Sequence, residues 1–222
     1  MAAGDAPPPS DPWPLRHLVL HTPRLELRPD DDAGLFELAE EARLGVHPPE
    51  HMPFQIPWTD AGPDERARAV LRWLWESRAA LRPERWSVHF LVRLGGRVVG
   101  VQGVDAADFA IAREVDTGSW VGLRHQGRGI GTEMRAAVLL FAFDHLGATR
   151  ARSAAFVDNA ASRRISDKLG YREDGGLTTV RRGRRTDKVR FVLEPSAFAR
   201  PPWTLRVRGA EACLPTLGAA PG

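Results

Sequence analysis

W-V-G-L-R-H-Q-G-R-G-I-G, from Trp120 to Gly131, joins a short apolar run to a polar turn containing Gly127, Gly129 and Gly131. The sequence from Thr132 to Leu146 then reads as an amphipathic helix. Glycines let a backbone approach a ligand with no Cβ in the way. The free N–H groups and positive dipole end of a helix start favour an anion, most often phosphate. The stretch therefore reads as a strand, a phosphate-sized cradle and a helix. An ordinary glycine-rich turn explains the same letters without a ligand. Two common nucleotide motifs do not fit. No Lys-Ser/Thr pair follows any of the glycines, as a P-loop requires. The third glycine of G-x-G-x-x-G would fall on Thr132 or Met134, depending on the starting glycine. What remains is Q-x-x-G-x-G, spelled by Gln126, Gly129 and Gly131.

A second segment lies downstream, A-A-F-V-D-N-A-A-S-R-R-I-S-D-K-L-G-Y-R-E over residues 154–173. Its apolar start reads as a strand ending near Val157. Asn159 suits a helix N-cap and Gly170 a helix stop, with Ala161, Ile165 and Leu169 on one face between them. A capped helix alone accounts for Asn159 and Gly170. It does not account for the whole pattern N-x-x-S-x-x-x-x-x-K-L-G-[FY] at this distance from the glycine turn.

Together these motifs resemble the GNAT superfamily of N-acyltransferases. The opening H-T-P-R-L-E-L-R-P, His21 to Pro29, is similar to the T-P-R-L-x-L-R-P start of the RimJ/RimL-like branch. The resemblance covers roughly residues 20–194. It implies a GNAT fold of α/β (α+β) class: a mixed, mostly antiparallel sheet flanked by helices, with splayed central parallel strands. It also implies acyl-CoA, acetyl-CoA or succinyl-CoA, as cosubstrate and no prosthetic group. The loop residues Gln126, Gly127, Arg128, Gly129, Ile130, Gly131 and Thr132 would hold the pyrophosphate. Trp120, Val121 and Leu123 would line the pantetheine arm, with the backbone of Val121 and Leu123 pairing its amides. Asn159 and Ser162 would lie along the rest of the cofactor.

For the chemistry, the resemblance points to Asp116 in V-D-T-G-S-W as base, directly or through water, with Glu114 as substitute. A strand-end Asp bonded to backbone amides is the structural alternative. Seven residues after Asn159, where relatives commonly carry Tyr, stands Ser166. It would donate a hydrogen bond to the departing thiolate, position a water, or sit idle on a helix surface. Tyr171, the single tyrosine, is expected in the core.

The loop H-M-P-F-Q-I-P-W, His51 to Trp58, is similar to a subgroup of actinobacterial acyltransferases that resemble users of succinyl-CoA. His47, His51, Phe54 and Trp58 are the expected acceptor-binding residues, and the subgroup leans slightly toward a dicarboxylic donor. Prolines beside the two histidines break the helix a zinc pair would need, so no metal is expected. The Arg181–Arg190 cluster reads first as a solvated hairpin tip and second as a clamp for a carboxylate.

The 222 residues favour one domain: a Pro-rich, disordered N-terminus at 1–14, a catalytic domain at 15–195 and an extension at 196–222. Hydrophobic content of 43% and charged content of 27% are globular values. A net charge of +3 from 31 basic and 28 acidic residues is too balanced to indicate nucleic acid. One cysteine, Cys213, excludes an internal disulfide and fits a reducing compartment. The N-terminus lacks the pattern of a signal peptide, and no apolar run could span a bilayer, so a cytoplasmic location without membrane partners is expected. Seven tryptophans, several within 58–86, exceed what one core needs and predict a homodimer. The competing functions are an acyl-CoA-binding regulatory module that transfers nothing, and transfer from a carrier-bound or tRNA-bound donor. The intact 126–131 loop disfavours the second, because such donors need not present a pyrophosphate.

Overall fold

In the computed structural model, residues 11–29 and 32–219 are described. The Pro-rich residues 1–10, part of the stretch expected to be disordered, lie outside them. Residues 11–14 of the same stretch are fixed: Asp11 accepts the Trp13 N–H at 2.9 Å, and Trp13 packs on the core.

The strands are β1 (Val19–His21), β2 (Leu25–Arg28), β3 (Arg85–Leu94), β4 (Arg97–Ala107), β5 (Glu114–Val121), β6 (Arg150–Phe156), β7 (Arg172–Arg181), β8 (Arg184–Leu193) and β9 (Arg206–Arg208). The helices are α1 (Asp32–Leu44), α2 (Pro63–Ala80), α3 (Phe109–Ala112), α4 (Ile130–Asp144), α5 (Ala160–Leu169) and α6 (Ala210–Cys213). The strands form one sheet in the order β7-β8-β6-β5-β4-β3-β2-β1-β9. Every pairing is antiparallel except β5 with β6. The expected mixed sheet is therefore present.

Local chemistry explains most of the elements. Gly95 and Gly96, at φ 58° and 81°, supply the two left-handed residues of a tight β3–β4 turn. Asn159 caps α5 by accepting the Ser162 N–H at 3.1 Å. Gly170 ends it at φ 89°, where an added Cβ would collide with the Ala197 carbonyl oxygen. The inward face of α5 is Ile165, Ser166 and Leu169, and Ala161 faces solvent instead. The α2 stretch begins at Pro63, whose fixed φ suits a first turn.

Helices cover both faces of the sheet. One face buries Leu35, Leu38, Val70 and Leu74 of α1 and α2 against Leu91, Val101 and Trp120. The other holds α4, which was expected to be amphipathic but is buried on nearly its whole circumference, because both the sheet and the segment after Pro195 cover it. It lies between the sheet and the segment after Pro195, where Phe198 meets Phe143 with ring centroids 5.8 Å apart. That segment belongs to the core. Cys213, Leu214 and Leu217 join the main apolar cluster, and the Trp86 indole donates to the Leu217 carbonyl at 2.9 Å. A short strand forms there, at Arg206–Arg208, and lengthens the sheet beside β1. Cys213 is buried and its thiol is pushed up to about 11, which leaves it unreactive at neutral pH.

Candidate active site

The parallel pairing of β5 and β6 lasts only from Glu114–Arg150 to Asp116–Arg152. Beyond it β5 continues to Val121 and β6 to Phe156, so the two strands diverge and leave a gap. Thr117 still reaches across, accepting from the Ser153 hydroxyl at 3.2 Å through its carbonyl. Ser119, two residues on, turns its backbone toward the same side with no β6 partner.

At the mouth of this gap stands the glycine loop. Gly127 and Gly129 adopt φ of 73° and 77°, and Gly129 is the N-cap of α4. The backbone N–H groups of residues 128–132 have no acceptor in the chain among the described residues. Five amides at the start of a 15-residue helix form a concentrated anion site. Gly131 packs on α5, where an added Cβ would meet Ile165 Cδ1 at 2.9 Å.

Three groups of contacts hold the loop in place, and two were not evident in the sequence. Arg24 Nε donates to Glu133 Oε2 at 2.7 Å and its Nη1 to the Arg128 carbonyl at 3.1 Å. The Thr22 hydroxyl donates to Glu133 Oε1 at 2.6 Å. The T-P-R opening thus clamps the first turn of α4 from across the fold, and it leaves Arg24 beside Gly129. Glu41, buried at the end of α1, pairs with Arg124 and with His125 at 3.3 Å. Gln126 Nε2 donates to the Val46 and Val121 carbonyls at 2.7 and 2.8 Å. The glutamine therefore closes the end of β5, and its amide nitrogen is occupied by the chain. The Leu123 N–H is likewise taken, by the Gly45 carbonyl at 3.0 Å. Of the groups expected for pantetheine, the Leu123 N–H and the Val121 carbonyl are thus engaged within the chain, and Ser119 adds a backbone that faces the gap.

The α1–α2 face of β5 carries the carboxylates. Asp116 lies directly across from Asp105 of β4, and Gly118 from Gly103, so a strip without side chains runs between them and Trp120. Asp116 is exposed to solvent, yet desolvation by the surrounding strip and the neighbouring Glu114 charge push its pKa up, and Arg152 opposes this. Burial and the Asp116 charge likewise raise Asp105, against a hydrogen bond from Ser87. Glu114 differs. It is bound by Arg152 at 2.6 Å and Arg150 at 2.5 Å, and these cations hold its pKa down. A raised carboxylate is the better proton acceptor near neutral pH, which favours Asp116 over Glu114.

His89, which the sequence reading missed, borders the same strip. Its ring lies 4.1 Å from that of Trp73, Nε2 contacts the Ser77 hydroxyl at 3.1 Å, and Nδ1 has no partner among the described residues. Burial lowers its pKa to about 4, so the imidazole is neutral at pH 7. Inward orientation on a ten-residue strand was its only signal.

Above this strip lies the loop from His47 to Trp58. Rings pack in series, His47 on Phe54 at 5.7 Å, Phe54 on Trp58 at 5.3 Å and Trp58 on Trp120 at 5.9 Å. His47 is tied at both nitrogens, to the Pro48 carbonyl at 2.8 Å and the Thr59 hydroxyl at 2.6 Å. His51 is exposed. The β7–β8 turn fastens the loop. Arg181 donates to the Met52 carbonyl at 2.8 Å and pairs with Asp158 at 2.6 Å, and Arg182 pairs with Asp60. Two members of the arginine cluster are therefore a clasp and not a solvated tip.

On the α4–α5 face, Ser166 is fully buried, contrary to a surface position, and its hydroxyl donates to the Ser162 carbonyl at 3.3 Å. Tyr171 is in the core as expected, with its hydroxyl 3.3 Å from that of Thr117. Arg135 of α4, not singled out in the sequence, reaches between Ser119 and Ser166. Its signal was a lone cation opening the otherwise apolar stretch A-A-V-L-L-F-A-F.

Solved structures share this architecture. Mycobacterium smegmatis RimJ in complex with CoA-disulfide is similar, with a TM-score of 0.65 and 20% identity over 94% of this chain and 99% of that one. A GCN5-related N-acetyltransferase from Brucella melitensis gives a TM-score of 0.62 and 23% identity, over 81% and 79% of the two chains. The RimL ribosomal L7/L12 alpha-N-protein acetyltransferase in complex with coenzyme A gives 0.58 and 18%, over 79% and 97%. The family model for the acetyltransferase (GNAT) domain matches residues 24–172, from the Arg24 clamp through both helices that flank the gap. With strand divergence, loop and family model in agreement, this chain belongs to the GNAT acetyltransferase family.

Proposed function

We propose that the protein transfers an acyl group from CoA to a primary amine of a small molecule or protein, directly and through a tetrahedral intermediate. The observation that carries this reading is the set of unpaired amides at residues 128–132 opening onto the gap between β5 and β6, with Asp116 on the far face. The loop receives the pyrophosphate, and the pantetheine enters the gap as an added strand would, beside the open Ser119 backbone. Arg24, Arg128 and Thr132 stand by the phosphates, and Asn159 and Ser162 flank the arm at the start of α5. The amine arrives on the α1–α2 face beneath His47, His51, Phe54 and Trp58. There Asp116, coupled to Asp105, accepts its proton directly or through a water. RimJ and RimL relatives with bound CoA support the cosubstrate.

Either acetyl-CoA or succinyl-CoA fits this scheme. Arg181 and Arg182 are already paired, which removes them as ligands for a distal carboxylate and favours acetyl-CoA. The test is calorimetry with acetyl-CoA, succinyl-CoA and free CoA, followed by thiol release against a panel of amines. Binding with amine-dependent thiol release is expected, acetyl product dominating when both donors compete at equal concentration. CoA binding without thiol release for any amine would instead identify a non-transferring module.

The reading extends to assembly and location. No helix among the described residues is long and apolar enough to cross a membrane, and a cytoplasmic setting fits the reduced Cys213. Trp75 and Leu44 are about half exposed and Phe36 more so, all on α1 and α2. These apolar groups suit a homodimer contact. Light scattering is expected to give twice the chain mass at micromolar concentration, and a monomer throughout would refute it.

A further inference from the structure

Arg135 is 3% exposed, on the inward face of α4. An arginine stays protonated at any ordinary pH, so this is a buried cation. It has no carboxylate partner among the described residues. Its Nε has no acceptor, and its two other contacts are long ones, 3.4 Å to the hydroxyls of Ser166 and Ser119. Burial pulls its pKa down, as expected for a charge without a counter-charge. An apolar side chain of the same volume would fill this space at far lower cost. A core cation kept without a partner points to an anion that arrives with a ligand.

The position says which anion. Arg135 lies five residues along α4 from Ile130, about 8 Å at the helical rise, so a pantetheine arm leaving the loop for the gap passes over it. Both hydroxyls accept from the guanidinium. Ser166 spends its proton on the Ser162 carbonyl, whereas the half-buried Ser119 keeps its own for whatever enters the gap. On this face the other titratable neighbour is the Tyr171 phenol, kept neutral by burial. On the opposite face Asp116, Asp105 and Glu114 are acidic, with Arg152 held by Glu114 and Asp174. When the amine nitrogen bonds to the thioester carbon, the C–S bond breaks and its electron pair stays on sulfur. That anion would form beside the carboxylates.

We infer that Arg135 is the counter-charge for the departing CoA thiolate, acting as a positioning residue through the hydroxyl of Ser119, with Ser166 as its second anchor. This rests on the acyl-CoA reading above.

The test titrates the thiol of CoA bound to the full chain, followed by the ultraviolet absorption of the thiolate. In the unsubstituted protein the bound thiol is expected to titrate at least one pH unit below the thiol of free CoA measured in the same buffer. In Arg135→Met it returns to that value, kcat falls about tenfold with KM for acyl-CoA nearly unchanged, and thermal stability is unchanged or higher. Arg135→Lys, which keeps the charge, restores part of both effects. An unshifted thiol in the unsubstituted complex overturns the inference and leaves the acyl-CoA reading standing, whereas absence of CoA binding overturns both. Loss confined to succinyl-CoA, with acetyl-CoA kinetics intact, would assign Arg135 to a distal carboxylate and also overturn the inference. So would an Arg135→Met protein that unfolds and that Arg135→Lys does not rescue.

Discussion

Asp116→Asn lowers turnover by about a hundredfold while CoA affinity, measured by calorimetry, stays the same. The amide keeps the shape of the side chain and removes the basic lone pair. The substitution falls on the α1–α2 face, away from the loop that meets the phosphates. The pH profile carries the same information. Desolvation raises the Asp116 and Asp105 pKa values; the Glu114 charge raises Asp116 further, and the Asp116 charge raises Asp105. The base works only when deprotonated, so kcat/KM rises with pH through a limb that lies above the ordinary carboxylate range. The limb belongs to the pair and not to one residue. Asp105→Asn removes the opposing charge and moves it to lower pH. Glu114→Gln is the control for turnover: Arg150 and Arg152 hold that carboxylate ionised and occupied, so turnover persists, with the limb moved lower because the Glu114 charge no longer raises Asp116. If Glu114→Gln is the variant that fails and Asp116→Asn turns over normally, the base is Glu114.

Gly129→Val weakens CoA binding by at least thirtyfold, about 2 kcal/mol. Two causes add. Gly129 adopts φ 77°, a conformation that a β-branched residue resists. The new side chain also grows toward the Arg24 guanidinium, 3.4 Å from the ideal Cβ, where phosphate oxygens are to sit. Calorimetry with free CoA on a protein of unchanged circular dichroism is the measurement. An unaltered dissociation constant would remove the loop from the cofactor site. Gly127→Val is expected to be milder, since nothing lies within 4 Å of its ideal Cβ and only the backbone cost applies.

Features carried by neighbouring residues were legible in the sequence. Asn159 and Gly170 bracket α5 because caps act over three or four residues. The Gly95-Gly96 turn and the left-handed glycines of the loop are equally local. Those residues were enough to mark the candidate cofactor side of the site. Features that depend on distant partners were not legible. The role of Gln126 depends on Val46, eighty residues away, and that of Arg182 on Asp60. Arg135 was obscured because α4 is apolar on nearly all sides, so no periodicity separates the face under the gap from the face under Phe198. The three-residue strands β1 and β9 are too short for an alternating pattern to show.

The Thr22–Arg24–Glu133 clamp bears on the order in which the protein becomes competent. Its contacts join residues 109 to 111 positions apart. The strand beside it, β1, takes its outer partner from Arg206–Arg208, near the other end of the chain. A chain growing from a ribosome therefore exposes the glycine loop long before the sheet edge that steadies its first helical turn is complete. Such long-range closures form slowly, because the loop-closing entropy must be met before the contacts reward it. A steadied glycine loop is thus a late property of folding, acquired with the last edge of the sheet and not with the local motif that announces it.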